Sequence, residues 1–399
     1  DNLTHTLVGT LVGLSIARRQ SRKEIRGAII GASILANNFP DADMFYVSYF
    51  SSPFGFMLHH RGHTHTILGA FGCGLIVWAI ICSSWRYLKG KLNVQASATI
   101  LFTAVVGSIL HVLLDWLNTY GVHPFWPLYN GWIYGDTLFI VEPMLWITLA
   151  AAVYPSVGGK FVKVVAISPV IFGVVLMTCF GRVSPTVVAF FLTIFLLVYL
   201  LTKKLGSAGR ERAWIGASIA IVTIFAACRV TAREILYATS TGTDEQRLNL
   251  SFVQPSPANP FCWTAWLVKI VHDDIIYDRL VIDLFGGTIP LHCEKYLLAK
   301  PLQEPSRIDN YTTSVGGAFM TRQSLDALSD NCRWKAFLQF ARLPSITDCK
   351  DGGNCTIDLR FSLRSFRNFS TQPLVGDCPE DLPPWESPVG ELFGLSRNQ

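Results

Sequence analysis

The sequence predicts a polytopic α-helical membrane bundle of about eight helices, followed by a C-terminal β-rich extramembrane domain. Half of the 399 residues are hydrophobic and only 15% are charged, whereas about 25% of the residues of an ordinary soluble domain are charged. Long apolar runs recur up to residue 237, and shorter alternating runs follow. The charge balance changes at the same place: residues 1–239 hold 18 Lys and Arg against 9 Asp and Glu, and the remainder holds 15 against 19.

The helices are predicted from eight apolar runs in the first part of the chain. Several of the runs approach the roughly 20 residues that span a bilayer, and the first two are shorter. The loops between them are too short for anything but a helical bundle. The predicted helices are Leu3–Ala17, Ile25–Phe39, Thr64–Ser84, Ala98–Thr119, Leu138–Tyr154, Phe161–Phe180, Thr186–Thr202 and Ala213–Leu236.

The positive charges predict how this bundle is oriented. The loops after the first, third, fifth and seventh predicted helices, together with the first turn of each helix that follows, hold 14 Lys and Arg, and the alternate loops hold few. Because Lys and Arg accumulate in cytoplasmic loops, the N-terminus, the loops at 40–63 and 120–137 and the C-terminal domain are expected to face outward. In a bacterium that side is the periplasm. The net charge of +5 is spread unevenly, so it does not indicate a nucleic-acid partner.

Polar residues that are unusual in a membrane segment collect at the predicted outer ends of the helices. Seven of the nine histidines precede residue 124, and an internal echo places Thr4-His5-Thr6 and Thr64-His65-Thr66 at the start of two similar helical hairpins. Each hairpin supplies a histidine where the chain enters and a carboxylate where it returns. The orientation was predicted from Lys and Arg alone, without these polar residues. Their collection at one membrane depth predicts a functional site there.

The residue types and spacings of this cluster predict a metal site. His111 and Asp115 stand four residues apart and so share a helix face, and Asp41 and Asp43 form a short carboxylate pair after Pro40. Imidazole and carboxylate suit zinc, or manganese and iron where carboxylates dominate. There are more donors than one tetrahedral ion needs, which favours two or three ions. The predicted ligands are His5, Asp41, Asp43, His60, His65, His111, Asp115, His123, Asp136 and Glu142.

Such an arrangement suits the hydrolysis of a phosphoester by a metal-activated water. Arg61 and Asp43 are the predicted catalytic residues, with Arg61 clamping a substrate phosphate. A structural role competes with this interpretation, because a His–Asp pair such as His111 and Asp115 can also join helices. Two other functions stay open. The polar cluster could belong to a transporter or ion pathway, or to a regulatory membrane protein that binds metal without turnover.

The motifs resemble the bacterial YdjM-like inner-membrane proteins, a family of membrane-bound metal-dependent hydrolases. The resemblance is strong over about the first 155 residues and loose beyond them. It implies a bacterial inner-membrane location and hydrolase activity, and it does not imply a substrate. A looser likeness is to the zinc-dependent phospholipase C and P1-nuclease group. The matching stretches include His60-Arg61-Gly62, His111-X3-Asp115, Asn118-Thr119-Tyr120-Gly121-Val122-His123-Pro124, Gly135-Asp136 and, in longer family members, Asp358-Leu359-Arg360-Phe361.

The C-terminal part is predicted to be mainly β. Phe261–Val271, Ile275–Phe285 and Thr356–Leu363 are predicted strands, with a turn at Asp273-Asp274, a helix near Thr321–Phe340 and a Pro-rich tail over 379–388. Four cysteines lie in the predicted membrane helices and six in this domain. An even number in an oxidising compartment predicts disulfides. A zinc site is the alternative, although Cys-X2-Cys spacing is absent. The turn residues between Cys349 and Cys355 predict that these two are bonded.

Together these inferences predict a membrane-bound metal-dependent hydrolase with two parts. Residues 1–237 form the transmembrane domain that carries the metal site, and residues 238–399 form a periplasmic β-rich domain. The expected location is the bacterial inner membrane, crossed several times. The expected partner is a membrane lipid or lipid-linked phosphoester, reached at the headgroup level of the outer leaflet. The expected cofactor is zinc, with manganese or iron as the other choices.

Overall fold

The fold is helical in its first part and mostly β in its second. The computed structural model describes residues 1–47, 54–156, 158–159, 185–240, 250–287, 305–361 and 369–390, with Cys293, residues 392–393 and scattered positions from 164 to 179. The predicted helix Phe161–Phe180 lies largely outside the described residues. The helices of the first part are α1 Asn2–Ala17, α2 Lys23–Ala36, α3 Asp43–Val47, α4 Gly55–His59, α5 Ile67–Lys89, α6 Val94–Trp116, α7 Pro143–Val153, α8 Pro185–Thr202 and α9 Ser207–Thr239.

Three of the described helices are long and apolar enough to cross a membrane, namely α5, α6 and most of α9. The short helices α1 and α8 are also apolar. Two other helices of the bundle are shorter than predicted: α2 has 14 residues and α7 has 11. The start of the predicted helix Leu138–Tyr154 is irregular, since Glu142 caps α7 by accepting a hydrogen bond from the Met144 N–H and Pro143 occupies the first helical position.

Close helix contacts bring the predicted site residues together. A Cβ at Gly9 would lie 2.9 Å from the Ser33 carbonyl oxygen, so α1 and α2 touch there. A Cβ at Gly74 would lie 2.8 Å from the Val105 Cα, so α5 and α6 touch in the same way. Small residues allow such backbone approaches between apolar helices. His5 lies one turn before Gly9, and its ring stacks on His111 near the end of α6.

The second part contains two antiparallel sheets. Five strands run in the order β1-β2-β3-β5-β4, and three more in the order β6-β7-β8. The predicted turn is confirmed: Val271 pairs with Asp274, and His272 and Asp273 both have positive φ, as a two-residue hairpin requires. The strands are β1 Phe252–Ser256, β2 Asn259–Val271, β3 Asp274–Asp283, β4 Ser306–Arg307, β5 Thr312–Met320, β6 Pro344–Asp348, β7 Asn354–Asp358 and β8 Thr371–Pro373.

Two predicted elements of this domain differ from the structure. The single helix predicted near Thr321–Phe340 is two short helices, α10 Arg322–Leu328 and α11 Cys332–Leu338. The chain turns between them because the Asn331 side chain caps α11 by accepting from the Trp334 N–H. The strand predicted over Thr356–Leu363 ends at Asp358, whose carboxylate accepts from the Arg360 N–H and from its guanidinium and so forms a tight turn.

Three disulfides cross-link the second part. Cys262 is bonded to Cys293, Cys332 to Cys378 and Cys349 to Cys355, so the predicted Cys349–Cys355 pairing is confirmed. The four cysteines of the first part are free thiols.

The two parts share an interface at the end of the bundle where the predicted site lies. The end of α9 packs against β1 and β2. Arg342 donates to both carboxylate oxygens of Asp136, at 3.0 and 2.8 Å. The buried guanidinium of Arg360 pairs with Asp358 and donates to the carbonyls of Thr119 and Tyr120. The second part therefore covers the 117–142 connection of the bundle.

Candidate metal centre

Four separate segments bring histidines and carboxylates to one place. His5 comes from α1, and His111 and Asp115 come from the end of α6. Asp41 lies in a single 3-10 turn, Phe39–Ala42, that follows α2 and leads into α3. His65 lies in a second 3-10 turn, His63–His65, just before α5. Most of these side chains are buried, and Asp41 is the most exposed, with 14% of its side-chain surface accessible.

Asp41, His65, His111 and Asp115 form a compact group of four ligand atoms. His65 Nε2 lies 3.4 Å from Asp41 Oδ1 and 3.2 Å from Asp115 Oδ2. His111 Nε2 lies 3.5 and 3.6 Å from the same two oxygens, and the two Nε2 atoms are 3.0 Å apart. Bonds of about 2.0–2.1 Å to a tetrahedral zinc would separate neighbouring ligand atoms by about 3.3–3.4 Å. The spacing of this donor set therefore fits such an ion.

The hydrogen bond on the far side of His111 fixes which nitrogen faces the group. Its Nδ1–H donates to the carbonyl of Asn37 at 2.8 Å, and a carbonyl can only accept. In the neutral ring Nε2 then carries a lone pair, which points at two carboxylates and at the Nε2 of His65. Lone pairs and negative charges that face one another in a buried site require a cation. A backbone carbonyl that orients a histidine in this way is typical of metal ligands.

Two members of this group, Asp41 and His65, lie outside the α-helices. The charged groups around them shift their pKa values. Burial alone would raise the pKa of Asp41, but the adjacent His111 and His65 rings hold it well below its usual range. Burial alone would lower the pKa of His65, but the carboxylates of Asp115 and Asp41 raise it to about 9. Without a metal, a proton on His65 is therefore the cation that this site favours.

A second group shares one residue with the first. Asp41, Asp43 and His60 also place ligand atoms within reach of one ion. His60 Nδ1 lies 2.9 Å from Asp43 Oδ1, and Asp43 Oδ2 accepts from the Arg61 N–H at 2.9 Å and from the Thr64 hydroxyl at 3.1 Å. Because Asp41 belongs to both groups, its carboxylate lies where it could bridge two ions.

His5 borders the first group on its third side. Its ring stacks on His111 with centroids 3.9 Å apart, and its Nε2 lies 3.3 Å from Asp115 Oδ1. Both ring nitrogens are buried and lack a hydrogen-bond partner of acceptable geometry in the described part of the chain. An unsatisfied buried imidazole costs free energy, so His5 has a donor atom to offer an ion.

Arg61 is buried between the metal ligands and an aromatic ring. Its Nε forms a 3.0 Å ion pair with Asp115 Oδ2, and its Nη1 donates to Asn118 Oδ1 at 2.9 Å. The guanidinium lies 4.7 Å from the centroid of Tyr120. The residue has a φ of 60°, a backbone conformation rare outside glycine. Arg61 thus places one positive charge beside the carboxylates.

Besides His5, three predicted ligands lie outside both groups. Asp136 forms its ion pair with Arg342. His123 lies between Trp132 and Trp385, with ring centroids 3.9 and 3.8 Å away, and burial lowers its pKa to about 3. Glu142 accepts from the N–H groups of Met144 and Ala258, and burial raises its pKa to about 8. Their roles as ligands stay predictions.

A segment whose role the sequence does not reveal packs against the loop that presents His60 and Arg61. Residues 379–388, here called the C-terminal strap, follow the Cys332–Cys378 disulfide. The Trp385 indole donates to the Leu58 carbonyl at 2.8 Å, and the Asp381 carbonyl accepts from His59 Nε2 at 3.0 Å. The Pro-rich composition of the strap predicted only a tail, because nothing in the local sequence shows that Trp385 reaches residues more than 300 positions earlier.

A recess opens beside the first group, among α1, α6 and the start of α7. Its empty space of about 350 Å³ includes the solvent at its open mouth. Its lining contains both polar and apolar residues. The polar lining is Asp1, Thr4, His5, Asp115, Asn118 and Glu142, and the apolar lining is Leu114, Leu138, Phe139, Ile140 and Leu145.

Comparison with known proteins identifies the family. The chain belongs to the YdjM inner membrane protein family, whose model matches residues 1–236. No curated protein and no solved structure gives a significant match. The matched residues include every member of the two ligand groups, and family and apolar helices together show a membrane protein with a possible metal site.

Proposed function

We propose that the protein is a metal-dependent hydrolase that cleaves a phosphoester at the headgroup level of the membrane. The observation that carries the proposal is the buried contact between His65 and His111, whose Nε2 atoms lie 3.0 Å apart beside two carboxylates. A structural His–Asp pair needs one histidine and one carboxylate, whereas this site gathers two of each around a single point. Zinc suits these nitrogen and oxygen donors, and manganese or iron is the other choice.

Asp41, Asp43 and His60 would hold a second ion. Two ions held by these groups would together support phosphoester hydrolysis. When bound, the ions would acidify the attacking water and neutralise charge on the phosphoryl oxygens. The water oxygen forms a bond to phosphorus, the ester P–O bond breaks, and the departing alcohol takes up a proton. The chain contributes the charge of Arg61 beside the site. Asp43 fixes His60 and the backbone at Arg61 by hydrogen bonds.

The orientation proposed with this function is multi-pass, with the metal centre and the β-rich part in the periplasm. The 14 Lys and Arg of the four alternate loops support it. Three disulfides in the second part support it independently, because disulfides persist in the periplasm and rarely in the cytoplasm. A site on that side would reach lipid headgroups of the outer leaflet.

The test is hydrolysis by the purified protein in detergent. The protein is stripped with a chelator and reloaded with Zn²⁺, Mn²⁺ or Fe²⁺, and release of nitrophenolate is followed from methyl nitrophenyl phosphate. We expect activity only after reloading, and a loss of at least about 100-fold in His65→Ala and His111→Ala. The matched control is His272→Asn, in the distant β2–β3 turn, which should keep full activity.

Absence of hydrolysis in the reloaded protein would contradict the proposal. Full metal occupancy without hydrolysis of this ester or of phosphatidic acid would favour a regulatory metal-binding protein. Unchanged activity in His111→Ala would place the chemistry elsewhere.

A further inference from the structure

The recess beside the metal centre has two chemically different sides. Asp115 and Leu114 are neighbours in α6, and they contribute to the polar and the apolar side respectively. The apolar side continues through Leu138, Phe139 and Ile140 and ends on α7 at Leu145. A molecule that fills this recess therefore meets carboxylate and imidazole at one side and hydrocarbon along the other.

The polar side of the recess belongs to the metal centre. His5 and Asp115 line it, and His5 Nε2 lies 3.3 Å from Asp115 Oδ1. The other oxygen of Asp115 lies 3.2 Å from His65 Nε2 in the first ligand group. A phosphate held at that group would thus have its ester substituent next to the recess.

The apolar side adjoins the surface of a helix long and apolar enough to cross a membrane. Leu114 lies in α6, where its neighbours Leu113 and Trp116 are 50% and 40% exposed. Ile140 is 41% exposed and extends the same apolar character to the connection before α7. The hydroxyl groups of a sugar or nucleoside would find few partners against these side chains, whereas a hydrocarbon chain would be favoured there.

We propose that the recess binds the first part of a hydrocarbon chain, so that the substrate is an alkyl, acyl or isoprenoid phosphoester. This inference rests on the proposed function and narrows it to lipid substrates. Burial of each methylene is worth about 0.8 kcal/mol, so every methylene that enters the recess raises kcat/KM by up to about fourfold. A water-soluble phosphoester without a chain forgoes this gain.

The first test reads binding without catalysis. The metal-free protein in a phosphate-free detergent is photolysed with dodecyl phosphate that carries a diazirine on its chain, and labelled peptides are identified by mass spectrometry. We expect label in residues 113–117 or 138–145, removed by unlabelled dodecyl phosphate and not by inorganic phosphate. Label spread evenly over the exposed faces of α5 and α8 would overturn the inference, since that is ordinary detergent-like contact.

The second test compares dodecyl with methyl nitrophenyl phosphate as substrates. We expect the dodecyl-to-methyl ratio of kcat/KM to fall by about tenfold in Ile140→Ser and in Phe139→Ser. The matched control is Leu128→Ser, because Leu128 is 94% exposed and does not line the recess. It should keep the ratio of the original protein.

The two proposals fail in distinguishable ways. Hydrolysis of both esters with equal kcat/KM, or with a ratio unchanged in the two recess variants, overturns the lipid inference and leaves the hydrolase standing. Recess labelling without hydrolysis of either ester overturns the hydrolase and supports a lipid-phosphate site.

Discussion

Asp41 is the residue on which the metal centre depends most. It is the one side chain that belongs to both ligand groups found among the described residues. Its Oδ1 lies within 3.5 Å of both His65 and His111, and its own position is set by the 3-10 turn that ends α2. Loss of this carboxylate would therefore remove a candidate ligand from both groups.

Asp41→Asn should therefore weaken metal binding more than any other single carboxylate change at the site. We expect a loss greater than the roughly 10- to 100-fold that outer-shell substitutions cause. Metal content after dialysis, measured by inductively coupled plasma mass spectrometry, checks this. Asp326→Asn is the control, since Asp326 pairs with Arg322 on the exposed surface of α10, and this variant should retain its metal. Equal metal loss in both variants would show that metal binding does not depend on Asp41 in particular.

The sequence predicts which residue types form the candidate site, but not which partner each of their side chains contacts. Histidine and aspartate at one membrane depth predicted the cluster, and His111 and Asp115 follow from helical spacing. His123 and Asp136 looked equivalent to them in sequence. Their partners, Trp385 and Arg342, lie more than 200 residues further along the chain, and a single sequence carries no signal for such contacts.

At the scale of elements, the C-terminal strap holds the loop that presents His60 and Arg61. Trp385 stacks on His123 and packs close to Gly62, where a Cβ would lie 3.1 Å from the indole. The His123 Nδ1–H in turn donates to the Arg61 carbonyl at 3.3 Å. The strap therefore positions Arg61 through two layers of contact, and the Cys332–Cys378 disulfide anchors its start.

Trp385→Ala should lower both stability and metal affinity. Removal of a large buried aromatic side chain costs about 3–5 kcal/mol, and the freed 59–63 loop would hold His60 less firmly. Thermal unfolding and metal titration in detergent measure the two effects. Trp385→Phe keeps a stacking ring but loses the hydrogen bond to Leu58 and part of the buried surface. Its stability and metal affinity should lie between those of the original protein and Trp385→Ala. Metal affinity that is unchanged in Trp385→Ala would mean that the strap does not position the site.

Element boundaries were predictable where local chemistry sets them. The two-residue turn between β2 and β3 and the Cys349–Cys355 loop follow from their turn residues. The end of β7 could not be predicted from its sequence. The alternation of apolar and polar residues continues to Phe361, whereas the Asp358–Arg360 pair forces the chain to turn. That pair is stabilised by carbonyls of the bundle, which the local pattern does not show.

At the scale of the whole molecule, the β-rich part is fixed over the metal centre by arginines. Arg342 reaches Asp136 in the bundle, and its guanidinium lies 4.4 Å from the ring centroid of Tyr134. Arg360 joins the same region from the Asp358 turn. The change in composition near residue 239 predicted two parts, but it could not predict that the second covers the first, since the covering contacts join distant positions.

Arg342→Met should destabilise the interface because it leaves the Asp136 carboxylate buried without a partner. Breaking one side of a buried ion pair costs about 3–5 kcal/mol. The matched double variant, Arg342→Met with Asp136→Leu, removes both charges and should recover much of that loss. Unfolding of the four proteins in detergent gives the coupling energy. A double variant as unstable as the sum of the single changes would show that the pair does not hold the two parts together.

The central claim is that the histidines and aspartates at one end of the bundle bind a metal, and X-ray absorption at the edge of the bound metal tests it most directly. For the zinc-loaded protein we predict a shell of imidazole nitrogens and carboxylate oxygens at about 2.0–2.2 Å, with the imidazole signal reduced in His65→Ala. A shell that contains sulfur, a shell of water oxygens alone, or a protein that retains no metal would contradict the account.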